Sequence, residues 1–342
     1  MNASWVQFPG VDKEQRLTEI RREAEGRGRI EAHGIRPAGA PFPRASVETG
    51  YYGIPLLKRP SWTWEIPLYF FVGGAAGASA VVGAIANYTG ADWRLVRDAR
   101  WIAAAGSIIS PALLISDLWR PARFPNMLRV FKPQSPMSVG VWTLLGFSGG
   151  SVAAAFAGSM RGRYGESFPI RILENAGEVA SLLFGLPFSN YTGVLIGATA
   201  IPAWNENAGE LPIHFGMSGL AASVGLLELM GHRRSRALQM LGLGAAAFEC
   251  WEGWHLESRK SWALQPLKSG PSGGIIRAGG ILSGLLPLAL RAASMLSGRN
   301  STKLRKWAAI SAIAGSLLTR IAWIHAGHVS AQNWREPLKT RD

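Results

Sequence analysis

Two carboxylates, two phenols and an imidazole stand inside or at the edges of long apolar runs: Glu65, Asp117, Tyr69, Tyr191 and His214. Ionisable groups in such runs are costly to place, which makes them functional candidates by default. Together they offer proton acceptors, proton donors and hydrogen bonds for a carbonyl oxygen, the equipment of acid–base chemistry. The structural alternatives stay open beside that reading. Glu65 and Glu210 suit the first turn of a helix, where the dipole favours a carboxylate. Asp117 has Arg120 and Arg123 as ion-pair partners close in sequence, His214 reads equally as an interfacial histidine, and the tyrosines as packing aromatics. No GxxxxGK[ST] or HExxH pattern competes.

A second set lies farther along: Glu228, Glu249, Glu252, His255, Arg320, His325 and His328. Glu249 and Glu252 are neighbours on a helix surface, and Arg320 is a candidate to neutralise one of them. This set reads first as a buried ion-pair network and second as a proton path. It shows no clear histidine pair deep within two facing runs, so no haem is expected. The single cysteine, Cys250, cannot by itself hold an iron–sulfur cluster or form a redox pair. Any iron–sulfur carrier is therefore expected on another chain.

The elements that position these residues follow from composition. The 342 residues are 48% hydrophobic and 17% charged, with 41 Gly and 14 Trp; soluble domains carry roughly 25% charged residues. The +14 net charge is spread over the gaps between apolar runs, as in headgroup-facing loops, and argues against nucleic acid. Eight runs approach the length of about 20 residues that a membrane crossing needs: 64–87, 101–118, 138–160, 177–203, 211–231, 236–256, 274–297 and 305–329. The first and fifth resemble each other at an offset of 145 residues. Glu65-Ile66-Pro67-Leu68-Tyr69-Phe70 matches Glu210-Leu211-Pro212-Ile213-His214-Phe215, and Gly74 begins a small-residue run matched at Gly219. Four spans separate the copies, so both enter the membrane in the same direction.

The expected fold is an all-α integral membrane protein of eight transmembrane helices, arranged as two parallel-repeat four-helix bundles. The expected organisation is an N-terminal extramembrane tail (1–60), a first bundle (61–205), a second bundle (206–330) and a C-terminal tail (331–342). In the tail, Val11–Glu25 reads as a short surface helix and Gly34–Arg44 as linker; no signal peptide is apparent. Alternating spans bring Glu65, Asp117 and His214 to one membrane face, with Tyr69 a turn deeper and Tyr191 near the middle of span four. At such a face these groups could hydrogen-bond a quinone and take the protons released when a quinol is oxidised.

The same face receives the loop 119–137, with Arg120, Arg123, Arg129, Lys132 and four prolines between two apolar runs. So basic and proline-punctuated a connector reads as a docking loop for an electron-transfer partner. A proton- or solute-translocating module without quinone chemistry is the competing reading of the repeat and the buried ionisable residues.

Several motifs carry a family resemblance: Tyr51-Tyr52-Gly53-Ile54-Pro55, Trp62-Thr63-Trp64-Glu65-Ile66-Pro67, Asp117-Leu118-Trp119-Arg120-Pro121-Ala122-Arg123-Phe124, Phe131-Lys132-Pro133 and Tyr191-Thr192-Gly193. Over about residues 50–330 the chain resembles the NrfD/PsrC family, membrane subunits of polysulfide-reductase-type complexes. Trp119 stands where the family often has Gly. The resemblance implies a haem-free membrane subunit in the bacterial cytoplasmic membrane. It implies menaquinone or ubiquinone as substrate, an iron–sulfur ferredoxin-like partner subunit, and a molybdopterin catalytic subunit beyond it. The implied quinone pocket lies in the first bundle, beside the iron–sulfur subunit.

Overall fold

Each apolar run folds into a helix, because a lipid-facing backbone must pair every N–H and C=O within its own segment. The computed structural model describes residues 57, 60–118, 121–297 and 301–332, with the isolated positions 19, 22, 30–31 and 34–35. The chain divides into two units, Met1–Leu56 and Leu57–Asp342. In the first, β1 (Ile30–Glu31) pairs antiparallel with β2 (Gly34–Ile35), so the expected linker opens with a strand. Within the expected helix Val11–Glu25, Glu19 and Arg22 are helical and the rest lies outside the described residues.

Among its described residues the second unit holds eight long helical segments: α1 (Glu65–Tyr88), α2 (Trp93–Ser116), α3 (Pro136–Tyr164), α4 (Phe168–Gly197), α5 (Leu211–His232), α6 (Arg236–Ser258), α7 (Gly270–Leu296) and α8 (Ser301–Gln332). Side chains of Asp92, Ser135 and Ser235 cap α2, α3 and α6, and prolines sit in the first turns of α3, α4 and α5, where a missing N–H costs nothing. Among the described residues, seven helices are long and apolar enough to cross a membrane. The helix outside that set is α6, which carries Arg236, Glu249, Glu252, His255 and Glu257.

Two span boundaries differ from the sequence expectation for one reason. Helix α2 begins at Trp93 rather than 101, and α4 runs from Phe168 to Gly197 rather than 177 to 203. The early turns of both are charged, which reads as loop. In the structure those charges cancel: Arg100 pairs with Glu174 and Glu178, Asn87 donates to Glu178 at 2.9 Å, and Arg161 reaches Glu174 at 3.4 Å. After Gly197 the chain turns through a short helix, Pro202–Asn205. Tyr191 consequently sits in the closing turns of α4, not at its middle.

Helices α1 to α4 pack on one another, as do α5 to α8; the two groups meet chiefly where α5 lies against α1 and α4. At the α1–α5 crossing, residues separated by the repeat offset face each other. Phe70 and Phe215 have ring centroids 6.1 Å apart. A Cβ on Gly219 would lie 2.8 Å from the Gly74 carbonyl oxygen, so only glycine allows this approach. One turn on, Ser79 and Ser223 share a 2.8 Å hydrogen bond. Contacts that ascend together make the two helices parallel here.

Arg320 of α8 fills the crossing. Its Nε donates to the Phe70 carbonyl at 3.1 Å and its Nη2 to the Phe215 carbonyl at 2.9 Å, again one residue from each copy. Its Nη1 donates to Ser218 Oγ at 2.7 Å and to the Ser316 carbonyl at 2.9 Å. Its direct contacts are thus main-chain and hydroxyl oxygens, while Glu249, one of the two expected partners, attracts it without a salt-bridge contact. Glu228 likewise leaves the expected cluster. It sits fully buried where α5 closes in a π turn, holding Arg291 through both oxygens (2.9 and 2.8 Å) and Arg305 through Oε1.

Glu228→Ala would leave two buried guanidiniums without their carboxylate, a loss of about 3–5 kcal/mol. Thermal unfolding of the purified chain in detergent should show a large drop in midpoint. A shift no bigger than that of an exposed control such as Glu166→Ala would contradict this.

Candidate functional site

Four helix ends converge on a cavity of about 570 Å³ in the first group, within the roughly 300–1,000 Å³ typical of small-molecule pockets. The segment entering α1 brings Ser61 and Trp62, and α1 itself brings Ile66, Tyr69 and Phe70. The end of α2 brings Leu114, Asp117 and Leu118; the start of α3 brings Met137, Gly140 and Val141; the end of α4 brings Tyr191 and Leu195. Phe124 and Met127, from the 3₁₀ segment Pro121–Leu128, complete the lining. The walls are apolar and aromatic, with a few polar groups that converge from different helices.

Three of the five sequence candidates, Tyr69, Asp117 and Tyr191, line this cavity. Glu65 joins it through Thr63, whose hydroxyl contacts a Glu65 oxygen and lies 3.3 Å from Asp117 Oδ1. One hydroxyl has one proton. That proton can serve only one carboxylate at a time, so Thr63 is the hydroxyl link between Glu65 and Asp117. Burial pushes the Asp117 carboxyl above the usual carboxylate range, and nearby Glu65 adds to the rise, while hydrogen bonds from Thr63 oppose it. The Tyr191 hydroxyl donates to the Pro136 carbonyl, tying α4 to the first residue of α3. Tyr69 is buried against Phe70 and Phe188, with ring centroids at 5.6 and 6.3 Å.

His214 does not reach this cavity. It is 4% exposed in the second group, with Nδ1 3.8 Å from Glu252 and its ring 6.2 Å from Trp323. The reason is helical phase. Phe215 faces α1, and His214, one residue earlier, turns into its own group. His214 is the repeat counterpart of Tyr69, so each points into its own four helices. Of the second set, Glu252 meets His214, His255 approaches Glu210 at 3.4 Å, and Glu249 accepts from Ser283 at 2.8 Å. His325 and His328 lie in the closing turns of α8.

The loop expected to dock a partner does two things. Phe124, Met127 and Met137 wall the cavity, while Arg129 and Lys132 are exposed beside Val130 and Phe131, which are 57% and 55% exposed. Arg120 and the side chain of Arg123 lie outside the described residues, as do Tyr51–Pro55 and Trp119. The sequence reading quoted Trp62 and Thr63 only within a motif and gave neither them nor Gly140 a place in the site. Trp62 stacks on Trp204 with centroids 5.4 Å apart, and the Trp204 indole donates to the Trp323 carbonyl at 2.7 Å. This aromatic stack ties the entrance segment to the second group. The Trp62-Thr63-Trp64 motif was the signal for this segment. Among the described residues no group of three or more His, Cys, Asp or Glu is placed to hold a metal ion.

Gly140 can be tested directly. A Cβ there would lie 2.0 Å from the Tyr191 ring, whereas one on Gly149 meets nothing within 4 Å. Gly140→Ala should therefore cost about 1–3 kcal/mol by overpacking, while Gly149→Ala should be neutral or stabilising by about 0.5–1 kcal/mol. Thermal unfolding of both variants checks the contrast, and equal midpoints would contradict the placement of Tyr191.

The family model described as "Polysulphide reductase, NrfD" matches residues 56–242. That span is more than half of the chain and contains every residue lining the cavity. No curated protein matches the chain. With its set of membrane-length apolar helices, the chain is a multi-pass membrane protein belonging to the NrfD family.

Proposed function

We propose that this chain is the quinone-reactive membrane subunit of a multisubunit respiratory oxidoreductase. It exchanges electrons between menaquinone or ubiquinone and an iron–sulfur partner subunit, and substrate chemistry occurs on a molybdopterin subunit. The observation that carries the reading is the cavity itself. It is apolar enough for a quinone ring and part of its tail, and it ends in a carboxylate–hydroxyl–carboxylate trio beside an exposed basic loop. In this reading all eight helices cross the membrane as two parallel four-helix repeats. Helix α6 crosses with Gln239, Glu249 and Glu252 buried inward and Met240, Trp251 and Trp254 facing lipid.

The residues divide the work. Trp62, Ile66, Phe70 and Val141 exclude water and sandwich the ring. The Tyr69 phenol supplies a hydrogen bond to a quinone oxygen, and Tyr191, held by Pro136, fixes the far wall. Asp117 accepts the two quinol protons in turn as the two electrons leave for the partner. Thr63 and Glu65 pass each proton toward the membrane face before the next arrives. Arg129 and Lys132 dock the iron–sulfur subunit against the loop, close to where the electrons leave. His214, although part of the expected site, has no role in this cavity.

The elevated Asp117 carboxyl sets the sign of the pH effect. The proton acceptor is the ionised form, so activity should fall as pH drops through a value above the ordinary carboxylate range. Asp117→Asn should lower quinol-driven reduction of the co-purified iron–sulfur subunit by about 100-fold or more and remove that acid limb. Glu65→Gln should slow the reaction with a smaller loss. Wild-type rates and an unchanged pH profile in Asp117→Asn would sink the assignment.

A further inference from the structure

The face opposite the cavity carries two buried ion knots whose charge balances differ. In the first group Arg100 and Arg161 meet Glu174 and Glu178, two cations against two anions. In the second, Arg291 and Arg305 both bind Glu228, and Arg233 donates to the Glu228 carbonyl at 3.1 Å. Two buried guanidiniums thus share one carboxylate, with the Arg233 cation on the main chain beside them. The other carboxylate touching this turn, Asp98, is already held by Arg97 and by His232 at 2.8 Å. Arg291 and Arg305 are 1% and 7% exposed, and Arg291 Nε has no hydrogen-bond partner. Excess buried positive charge is costly unless an anion joins it.

The surroundings say which anion. Arg305 Nη2 donates to the Ser235 carbonyl at 2.9 Å, which seats the start of α8 against the α5–α6 turn. Exposed Arg234 and Arg236 flank Ser235, and exposed Lys303 and Lys306 flank Arg305. Trp307, next to Lys306, and Leu296, the last residue of α7, are 61% and 90% exposed. A soluble phosphate would use the cations and leave the apolar rim idle. A phospholipid uses both, as basic pockets between membrane helices do. We propose that this corner, where the α5–α6 turn meets the start of α8, binds the phosphate of an anionic phospholipid, with its acyl chains along Trp307 and Leu296.

The test uses the full chain in nanodiscs of phosphatidylcholine with or without phosphatidylglycerol, read by native mass spectrometry and thermal unfolding. Retained phosphatidylglycerol and a raised midpoint are expected. Combining Arg234→Gln, Arg236→Gln, Lys303→Gln and Lys306→Gln leaves the buried knot intact. It should lower retention by about fivefold per cation removed without changing the midpoint in pure phosphatidylcholine. If that variant does not fold, the Lys303→Gln, Lys306→Gln pair carries the same test. Equal retention of both lipids, undiminished retention in the variants, or the same stabilisation by inorganic phosphate in detergent would overturn the proposal.

Discussion

The arrangement depends on how a buried guanidinium is satisfied between two glycines. Arg320 binds the carbonyls of Phe70 and Phe215, one from each copy of the repeated segment. Its Nη2 would lie 3.0 Å from a Cβ on Gly74. A charge in this position is expensive in a membrane, and carbonyl dipoles with two serine hydroxyls offset that cost without a carboxylate in contact. The bonds hold α1 against α5 and α8 on one side. The other side of α1 is then free to present Tyr69 to α4 and the cavity. Closing the α1–α5 gap and opening the cavity are consequences of one helix having two different faces.

The repeated segment also shows how one scaffold supports unlike interiors. Tyr69 and His214 occupy equivalent positions, as do Glu65 and Glu210. In the first group the space beyond Tyr69 is open and ends at Asp117. In the second the corresponding region is filled by Trp204 and Trp323, and Glu210 is engaged by Arg259 at 3.0 Å and by His255. The residue at the repeat offset from Asp117 is Trp262, which has no acid–base chemistry. The functional asymmetry therefore resides in a few side chains rather than in the helices.

Much of this was readable from residue order. Apolar length located the helices, and the shared Glu-x-Pro-x-aromatic-Phe start gave α1 and α5 the same direction. Depth put Tyr69 within a turn of the face that carries Asp117, whereas Tyr191, expected near the middle of span four, lies in its closing turns. Three things were not readable. Buried charges at the starts of α2 and α4 imitate loop, because a sequence does not show that Arg100 will meet Glu174 and Glu178. Facing direction within an unpartnered helix is undetermined, so His214 had the right depth and the wrong group. Which oxygens the packing offers a buried arginine is hidden too, so the contacts of Arg320 with the Phe70 and Phe215 carbonyls were not foreseen beside its attraction to Glu249. The repeat offset did contain the correction for His214, since Tyr69 and its counterpart should each face their own group.

The central claim is that a quinone ring occupies the cavity of the first four helices. The most direct measurement is photo-crosslinking of the full membrane complex with a light-activated quinone analogue, followed by peptide mapping. The account predicts label on peptides from the start of α1, the end of α2 and the end of α4, competed away by excess natural quinone. Competable label confined to α5 through α8 would contradict it.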